Sequence, residues 1–267
     1  MATRTEMILG AFAWRRIHSL MGLWLVIYLI EHLIINSQAA LWLGDDGIGF
    51  VRLVNLLEGL PYLQVMEVFL IGIPIFLHGY WGLYRVFQAQ PNSFSNAGNR
   101  PVVKYGRSRA YTWQRLTSWI LLIGIIGHVV QMRFLQQPRK IHDGFQAEYV
   151  VTLTEDPGLK SIADRVGVKL LYKERIEAVA PTPGKAMLMM VRETFKSLWM
   201  CVLYSIFVIA AAFHALNGFW TSLITWGAML SYRSQKAVLP ICWFGMAVLA
   251  FLGLAAIWGS YWVNLRA

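Results

Sequence analysis

The chain has 267 residues, of which 57% are hydrophobic and only 14% are charged. A soluble domain carries about 25% charged residues, so this composition excludes an ordinary soluble protein and indicates an integral membrane protein. The formal charge of +10 does not indicate a nucleic-acid partner, because the basic residues cluster in connections between apolar runs. Both cysteines, Cys201 and Cys242, fall inside apolar runs, which excludes a disulfide framework and a CxxC metal site.

Five apolar runs are long enough to cross a bilayer, which requires about 20 residues. In chain order, these predicted spans one to five cover residues 17–38, 63–87, 113–135, 197–224 and 240–264. The sequence therefore predicts an all-α integral membrane protein with five transmembrane helices, arranged as a single membrane domain over residues 1–267.

The charges in the connections predict the direction of the spans. Basic residues without acidic neighbours precede span three and span five, whereas the first connection is mainly acidic. Cytoplasmic connections carry the excess of Lys and Arg, so we expect a cytoplasmic N-terminus and an external C-terminus. The basic residues of the second connection are Arg100, Lys104, Arg107 and Arg109.

The third connection, at about residues 136–196, is longer than the others and carries charges of both signs. Within it, the β-branched run Tyr149–Thr154 predicts a strand, and residues 164–172 predict a second short element. We interpret this connection as an extracytoplasmic insertion.

Four of the six histidines lie deep in spans one to four, one in each span. At 1.5 Å per helical residue, His32 and His128 both lie about 22 Å from the cytoplasmic ends of their spans, and His78 and His214 about 14–15 Å. This predicts an outer and an inner histidine pair. Two haems require such pairs, whereas zinc or copper requires three or four ligands that converge at one point. The first four spans are therefore predicted to form a haem-binding bundle.

Two features near these histidines have more than one interpretation. Pro74 removes a backbone hydrogen bond four residues before His78, and the resulting kink either directs His78 or serves helix packing. Glycines near the histidines either make room for a porphyrin or allow close helix packing. They are Gly22, Gly79, Gly82, Gly124, Gly127 and Gly218.

The residues around the histidines resemble the di-haem cytochrome b subunit that anchors succinate:menaquinone oxidoreductase, in its single-chain, five-helix form. This form belongs to the succinate dehydrogenase and fumarate reductase family. The matching stretches are RRIHSLMG at 15–22, EHLIIN at 31–36, EVF at 67–69, PIFLHGYWGLY at 74–84, QRLT at 114–117, HVVQMR at 128–133, FHALNGFW at 213–220, TWG at 225–227 and RSQ at 233–235. Span five matches by hydropathy alone. The long third connection and Glu31, where the resemblance implies a neutral amide, depart from the pattern.

The resemblance implies a bacterial cytoplasmic-membrane location and an electron path. Succinate is oxidised on a flavoprotein partner, and an iron–sulfur partner passes the electrons to this chain. An inner haem held by His78 and His214 then passes the electrons to an outer haem held by His32 and His128. The outer haem reduces menaquinone. The basic residues before span three are either a docking surface for these partners or only a topology signal. A higher oligomer of the complex is compatible with this arrangement.

Five further residues are candidates for contact with the haems. Arg16, Arg85, Arg115 and Arg133 lie at helix ends, where arginine either binds anionic propionates or extends to the membrane interface. His18 lies at the cytoplasmic end of span one. We predict that it is too shallow to pair with His78 or His214 as a ligand and that it hydrogen-bonds a propionate or the inner haem region.

Quinone reduction consumes two protons, so an acidic or imidazole side chain is expected near the ring. The candidates are Glu67, Glu58 and Glu31. Glu67 is favoured because it lies near the outer boundary of an otherwise apolar helix. Each carboxyl has an alternative interpretation as an interfacial or hydrogen-bonded group.

Two other functions fit the same residues. A fumarate reductase anchor would use the same haems in the opposite direction, which sequence does not distinguish. A haem-free scaffold or transporter would place the histidines in a proton path. The sequence shows neither inverted repeats nor broken helix pairs, which disfavours the transporter.

Overall fold

The computed structural model describes residues 4–40, 46–88, 106–143 and 146–265. Within these residues, five helices are long and apolar enough to cross a membrane. They cover Gly10–Ser37, Leu63–Gln88, Gly106–Leu135, Leu198–Thr225 and Tyr232–Asn264. The prediction of an all-α integral membrane protein with five spans is confirmed, and these helices keep the span numbers one to five.

The helices that form the spans extend beyond several of the apolar runs. Span one lies in α1 (Arg4–Ser37). Span two comprises α3 (Leu63–Glu67), a π-helical turn (Val68–Gly72) and α4 (Ile73–Gln88), which follow the short helix α2 (Ile48–Glu58). Span three comprises α5 (Gly106–Val129) and a second π-helical turn (Val130–Leu135). Spans four and five are α8 (Leu198–Thr225) and α9 (Tyr232–Leu265).

Pro74 explains the π-helical turn in span two. Proline has no N–H, so the carbonyl four residues earlier, that of Leu70, loses its helical donor. The indole N–H of Trp24, on α1, donates to this carbonyl with an N···O distance of 2.5 Å. An unsatisfied carbonyl is costly in lipid, so this contact stabilises the irregular turn that precedes His78.

The chain divides into two compact units. The described residues of Met1–Ile30, Gln64–Ile123 and Ile209–Val248 form the first unit, and those of Glu31–Leu63, Gly124–Val208 and Leu249–Ala267 form the second. His18, His78 and His214 belong to the first unit, and His32 and His128 belong to the second.

The third connection folds as a four-stranded antiparallel sheet in the second unit. Its strands β1 (Arg139–Asp143), β2 (Gln146–Leu153), β3 (Lys169–Tyr172) and β4 (Ile176–Ala180) lie in the order β1-β2-β4-β3. The predicted strand lies largely in β2. The second predicted element is divided between the end of α6 (Leu159–Val166) and β3, because Gly167 ends α6 with a left-handed φ of 68°.

Helix α7 (Pro183–Phe195) packs on β2 and β4 and also on α2. It begins where the Thr182 hydroxyl caps the Lys185 N–H and a proline occupies the first turn. At Gly184, a Cβ would lie 2.5 Å from the Val51 carbonyl oxygen, and the Gly184 N–H donates to Asn55 Oδ1. This close approach of two helices requires glycine.

Polar contacts connect the sheet region to span five and brace the sheet. Arg192, on α7, is 4% exposed, and burial lowers its pKa to about 10. Its guanidinium donates to Asn264 Oδ1, and Asn264 Nδ2 donates to the Arg192 carbonyl at 2.9 Å. On the sheet, Glu177 accepts from Lys173 at 2.8 Å and from Arg139 at 2.9 Å. The hydrogen bond from Lys173 is the main cause of a lowered pKa at Glu177.

Candidate histidine sites

Spans one and three bring His32 and His128 together in the second unit. Their ring centres are 5.9 Å apart, and the rings are nearly perpendicular at 84°. His128 also lies 5.8 Å from the ring of Tyr204 and 6.1 Å from that of Phe207, both on span four. The Asn36 amide donates to the His32 carbonyl at 2.8 Å. Aromatic and amide side chains therefore lie beside the pair.

Spans two and four bring His78 and His214 together in the first unit. Their ring centres are 6.2 Å apart at an interplanar angle of 77°. Gln114 donates to the His214 carbonyl at 3.1 Å and accepts from Asn217 at 2.8 Å. These contacts fix the backbone of span four at the histidine.

The spacing of both pairs fits one metal ion held between two imidazoles. Metal–imidazole bonds of about 2.0–2.1 Å on opposite sides of an ion place the ring centres roughly 6 Å apart. Both pairs have this separation, at 5.9 and 6.2 Å. Within the described residues, no group of three or more His, Cys, Asp or Glu side chains converges as a metal site. Each pair therefore offers two imidazoles and not the three or four protein ligands that zinc or copper requires.

Hydrogen bonding prepares three of these imidazoles for ligation through Nε2. His78 Nδ1 lies 3.0 Å from the His18 carbonyl oxygen, which only accepts, so Nδ1 carries the proton. His128 Nδ1 lies 3.3 Å from the Tyr204 hydroxyl, and His214 Nδ1 lies 3.2 Å from the Thr117 hydroxyl. A metal-binding histidine typically donates its second ring N–H in this way.

His18 lies deeper in span one than the apolar run indicates, and its ring lies against that of His78. The two rings stack with centres 4.0 Å apart and planes within 10°, and each Nδ1 donates to the other residue's carbonyl. The apolar run begins at residue 17, whereas α1 begins at Arg4, so His18 lies well inside the helix. A centre separation of 4.0 Å leaves no room for an ion between these rings. His18 therefore orients His78 and does not form a ligand pair with it.

The glycines near the histidines have different surroundings. A Cβ at Gly22 would lie 2.8 Å from His78 Cε1, and one at Gly124 would lie 2.4 Å from the Phe207 ring. A Cβ at Gly218 would make only ordinary contacts, with its nearest atom at 3.5 Å. A Cβ at Gly82 would lie 3.6 Å from His18 Cε1, also an ordinary contact. Gly22 therefore provides space that the imidazole of His78 occupies.

The four candidate arginines lie in different settings. The Arg16 guanidinium lies 3.9 Å from the centre of the Phe12 ring and donates to the Thr225 carbonyl at 3.4 Å. Arg85 donates to Gln88 at 3.1 Å, and Arg115 donates to the Val86 carbonyl at 3.3 Å. Arg133 lies beside Gln137, at the end of span three. Contact of these arginines with propionates stays a prediction.

The three candidate carboxylates also have different positions. Glu31 is exposed on the surface of span one, adjacent to His32 in sequence. Glu58 is half-buried at the end of α2, in the same unit as His32. Glu67 is half-buried at the end of α3, immediately before the π-helical turn, in the same unit as His78. Their role in protonation stays a prediction.

The basic residues before span three are only partly described. Arg100 and Lys104 lie outside the described residues. Arg107 donates to Gln235 at 2.5 Å and lies 5.0 Å from the Tyr232 ring, so its guanidinium links span three to the start of span five. Arg109 is exposed.

Sequence reasoning did not identify Tyr204 and Thr117 as partners of the histidines. Depths counted along the apolar runs set residue 117 beside residue 220, whereas in the structure Thr117 lies beside His214, so the register of spans three and four was not available from the sequence. In an antiparallel helix pair, the alignment that sets residue 117 beside residue 214 also sets residue 128 beside residue 203. This position is adjacent to Tyr204, so the two hydroxyl contacts follow from one alignment.

The fold and these side chains define the class of protein: an integral membrane protein with five spans and two histidine pairs that each fit one metal ion. No family model matches the chain. The chain is 27% identical over 247 residues to the succinate dehydrogenase cytochrome b558 subunit of Bacillus subtilis (strain 168), covering 92% of this chain and 95% of that protein. This similarity confirms the resemblance to the succinate dehydrogenase cytochrome b anchor family. With the five spans, it supports a multi-pass membrane protein.

Proposed function

We propose that this chain is the membrane anchor and electron-transfer subunit of a bacterial succinate dehydrogenase. In this proposal it holds two b haems and passes electrons from an iron–sulfur subunit to menaquinone. The observation that carries the proposal is the pair of histidine sites, with ring centres 5.9 and 6.2 Å apart. Similarity to a succinate dehydrogenase cytochrome b subunit over 92% of the chain supports the same function.

The residues that would hold the haems are the four paired histidines. His32 and His128 would bind one iron and His78 and His214 the other; in His78, His128 and His214 the nitrogen left for the iron is Nε2. A haem supplies a one-electron carrier, with a reduction potential set by its axial ligands and their surroundings. The chain's own residues fix the imidazoles and surround them with apolar spans. Arg16, Arg85, Arg115, Arg133 and His18 are the proposed contacts for the propionates and the haem edges.

Succinate oxidation would occur on partner subunits. We place a flavoprotein and an iron–sulfur subunit on the cytoplasmic side, together with the N-terminus and the exposed Arg109. The C-terminus and the four-stranded sheet would then lie outside. This direction is the one that the positive-inside rule favours for the basic connections.

Menaquinone reduction requires a proton donor close to the quinone. Glu67, Glu31 and Glu58 are the proposed donors. Glu31 is exposed on the surface of span one, where a quinone dissolved in lipid would approach. We expect Glu67→Gln or Glu31→Gln to slow quinone reduction and to change its pH dependence. A variant whose rate and pH profile match those of the unmodified complex would exclude that carboxyl from the proton route.

The haem content of the purified complex tests this proposal. We expect the reduced-minus-oxidised spectrum to show two b haems per chain. His32→Ala and His128→Ala should abolish the same haem signal, and His78→Ala and His214→Ala should abolish the other. His142→Ala, at an exposed position in β1, is the matched control and should retain both haems.

Three outcomes would contradict parts of the proposal. A chain without haem would support the haem-free scaffold. Loss of one signal in both His32→Ala and His78→Ala would show that the ligands are paired differently. Two haems with faster fumarate reduction than succinate oxidation would indicate the fumarate reductase anchor. Mass spectrometry of the copurified subunits would identify the partners directly.

A further inference from the structure

Spans three and four each contribute one histidine and one hydroxyl that lies beside the other span's histidine. In the second unit, the Tyr204 hydroxyl of span four lies 3.3 Å from His128 Nδ1 of span three. In the first unit, the Thr117 hydroxyl of span three lies 3.2 Å from His214 Nδ1 of span four. Each hydroxyl therefore contacts one predicted ligand on the facing helix.

The proton of each hydroxyl is already used elsewhere. Tyr204 donates to Gln131 Oε1 at 3.0 Å, and this amide oxygen only accepts. Thr117 donates within its own helix, to the Trp113 carbonyl at 2.8 Å and the Gln114 carbonyl at 3.1 Å. A hydroxyl has one proton, so toward the histidines both oxygens can only accept.

This proton arrangement fixes the tautomer of both imidazoles. His128 and His214 must carry the proton on Nδ1 and donate it to the hydroxyl, which leaves the Nε2 lone pair for a metal. The hydroxyls are themselves held in place. Thr117 is 6% exposed, and the Tyr204 ring packs edge-on against Phe195 at 5.2 Å. The orientation of each imidazole ring is therefore fixed by the hydroxyl oxygen that accepts its Nδ1 proton.

We propose that Tyr204 and Thr117 are positioning residues that orient His128 and His214 and tune the two haems separately. This inference rests on the proposed haem-binding function. A hydrogen bond from Nδ1–H makes an imidazole a stronger electron donor, which favours the ferric iron. Each hydroxyl therefore lowers the midpoint potential of the haem that its own histidine binds.

The test uses Tyr204→Phe and Thr117→Val in the purified complex. We expect the loss of such a partner to weaken haem retention by about 10–100-fold. A tenfold loss of haem affinity that affects only the ferric form raises the midpoint potential by about 59 mV. Tyr204→Phe should shift only the haem that His128→Ala abolishes, and Thr117→Val only the haem that His214→Ala abolishes. Redox titration and electron paramagnetic resonance of the low-spin haems measure both effects.

Conservative and control variants separate this role from packing. Thr117→Ser keeps the hydroxyl and should restore the potential of the unmodified complex. Thr221→Val removes a hydroxyl that donates to the Gly218 carbonyl of its own helix, and it should leave both potentials unchanged. Tyr80→Phe, at a position that is 57% exposed, is the control for Tyr204→Phe.

The outcomes distinguish this inference from the proposed function. An unmodified complex without haem would refute the proposed function and this inference with it. Two haems whose potentials and resonance signals are the same in Tyr204→Phe and Thr117→Val would overturn the inference alone. Equal shifts of both haems in either variant would also overturn it, because each hydroxyl contacts one histidine.

Discussion

Alanine at Gly22 should disrupt one histidine pair and spare the other. Its Cβ would lie 2.8 Å from His78 Cε1 and 3.1 Å from His78 Nδ1. Carbon atoms in contact lie about 3.5–4.0 Å apart, so the imidazole or the helix must move by about 0.7 Å. The ring cannot turn away freely, because its Nδ1 donates to His18 at 3.0 Å and the two rings stack. Metal–ligand distances vary by only about 0.2 Å, so the required displacement is several times larger than the site tolerates.

We therefore expect Gly22→Ala to lose the haem held by His78 and His214 and to keep the other. Overpacking of this size costs about 1–3 kcal/mol of stability. Difference spectra give haem per chain, and thermal unfolding in detergent gives the stability. Gly10→Ala, on the same helix, is the matched control, because a Cβ there would meet nothing within 4 Å among the described residues. Normal content of both haems in Gly22→Ala, or an equal loss in Gly10→Ala, would refute this reasoning.

Three further predictions concern stability. Trp24→Phe should lower the free energy of unfolding by about 1–3 kcal/mol, because the Leu70 carbonyl freed by Pro74 loses its donor. The loss should be smaller in a Pro74→Ala background, as a double-mutant cycle measured by thermal unfolding would show. Asn264→Ala should lower the free energy of unfolding by about 1–3 kcal/mol, because the buried Arg192 loses its acceptor. Asn264→Asp keeps an acceptor, so it should lower the free energy of unfolding less in the same assay. The lowered pKa of Glu177 means that its ion pairs stabilise the sheet above about pH 4.3, the unfolded pKa, and are lost as the pH falls through the folded pKa. Hydrogen exchange of β3 and β4, corrected for intrinsic rates, should show this acid dependence in the native chain and not in Glu177→Gln.

The histidine pairs could be predicted from the sequence because the rise of a helix is fixed. His32 and His128 were placed at one depth and His78 and His214 at another by counting residues, and the structure brings each pair within about 6 Å. The same counting places His18 at the cytoplasmic end of span one, whereas its ring stacks on that of His78. The depth of a residue depends on where its helix begins. The polar first turns of a helix lie outside the apolar run, so the run alone does not show where the helix begins.

The sheet and the polar partners were harder to predict for a different reason. β3 has only four residues, Lys169–Tyr172, which is too short for an alternating pattern to identify it. The contacts of Trp24 with Leu70 and of Tyr204 with His128 depend on how helices face one another. The hydropathy of a single segment does not show which of its residues contact a neighbouring helix. The register of the two helices determines those contacts.

The four-stranded sheet region depends on segments that are synthesised far apart in time. Helix α2 is translated first, and α7, on which it packs, begins about 125 residues later, which at about 5–20 residues per second takes roughly 6–25 s. During this interval the apolar Phe50 and Val54, which are buried in the finished core, have no partner on α7. Asn264, which holds the buried Arg192, follows about 70 residues after it, so the region matures only after span five has been synthesised. Nascent chains stalled before Asn264 should therefore remain sensitive to protease in α7, and chains that contain all of span five should become resistant.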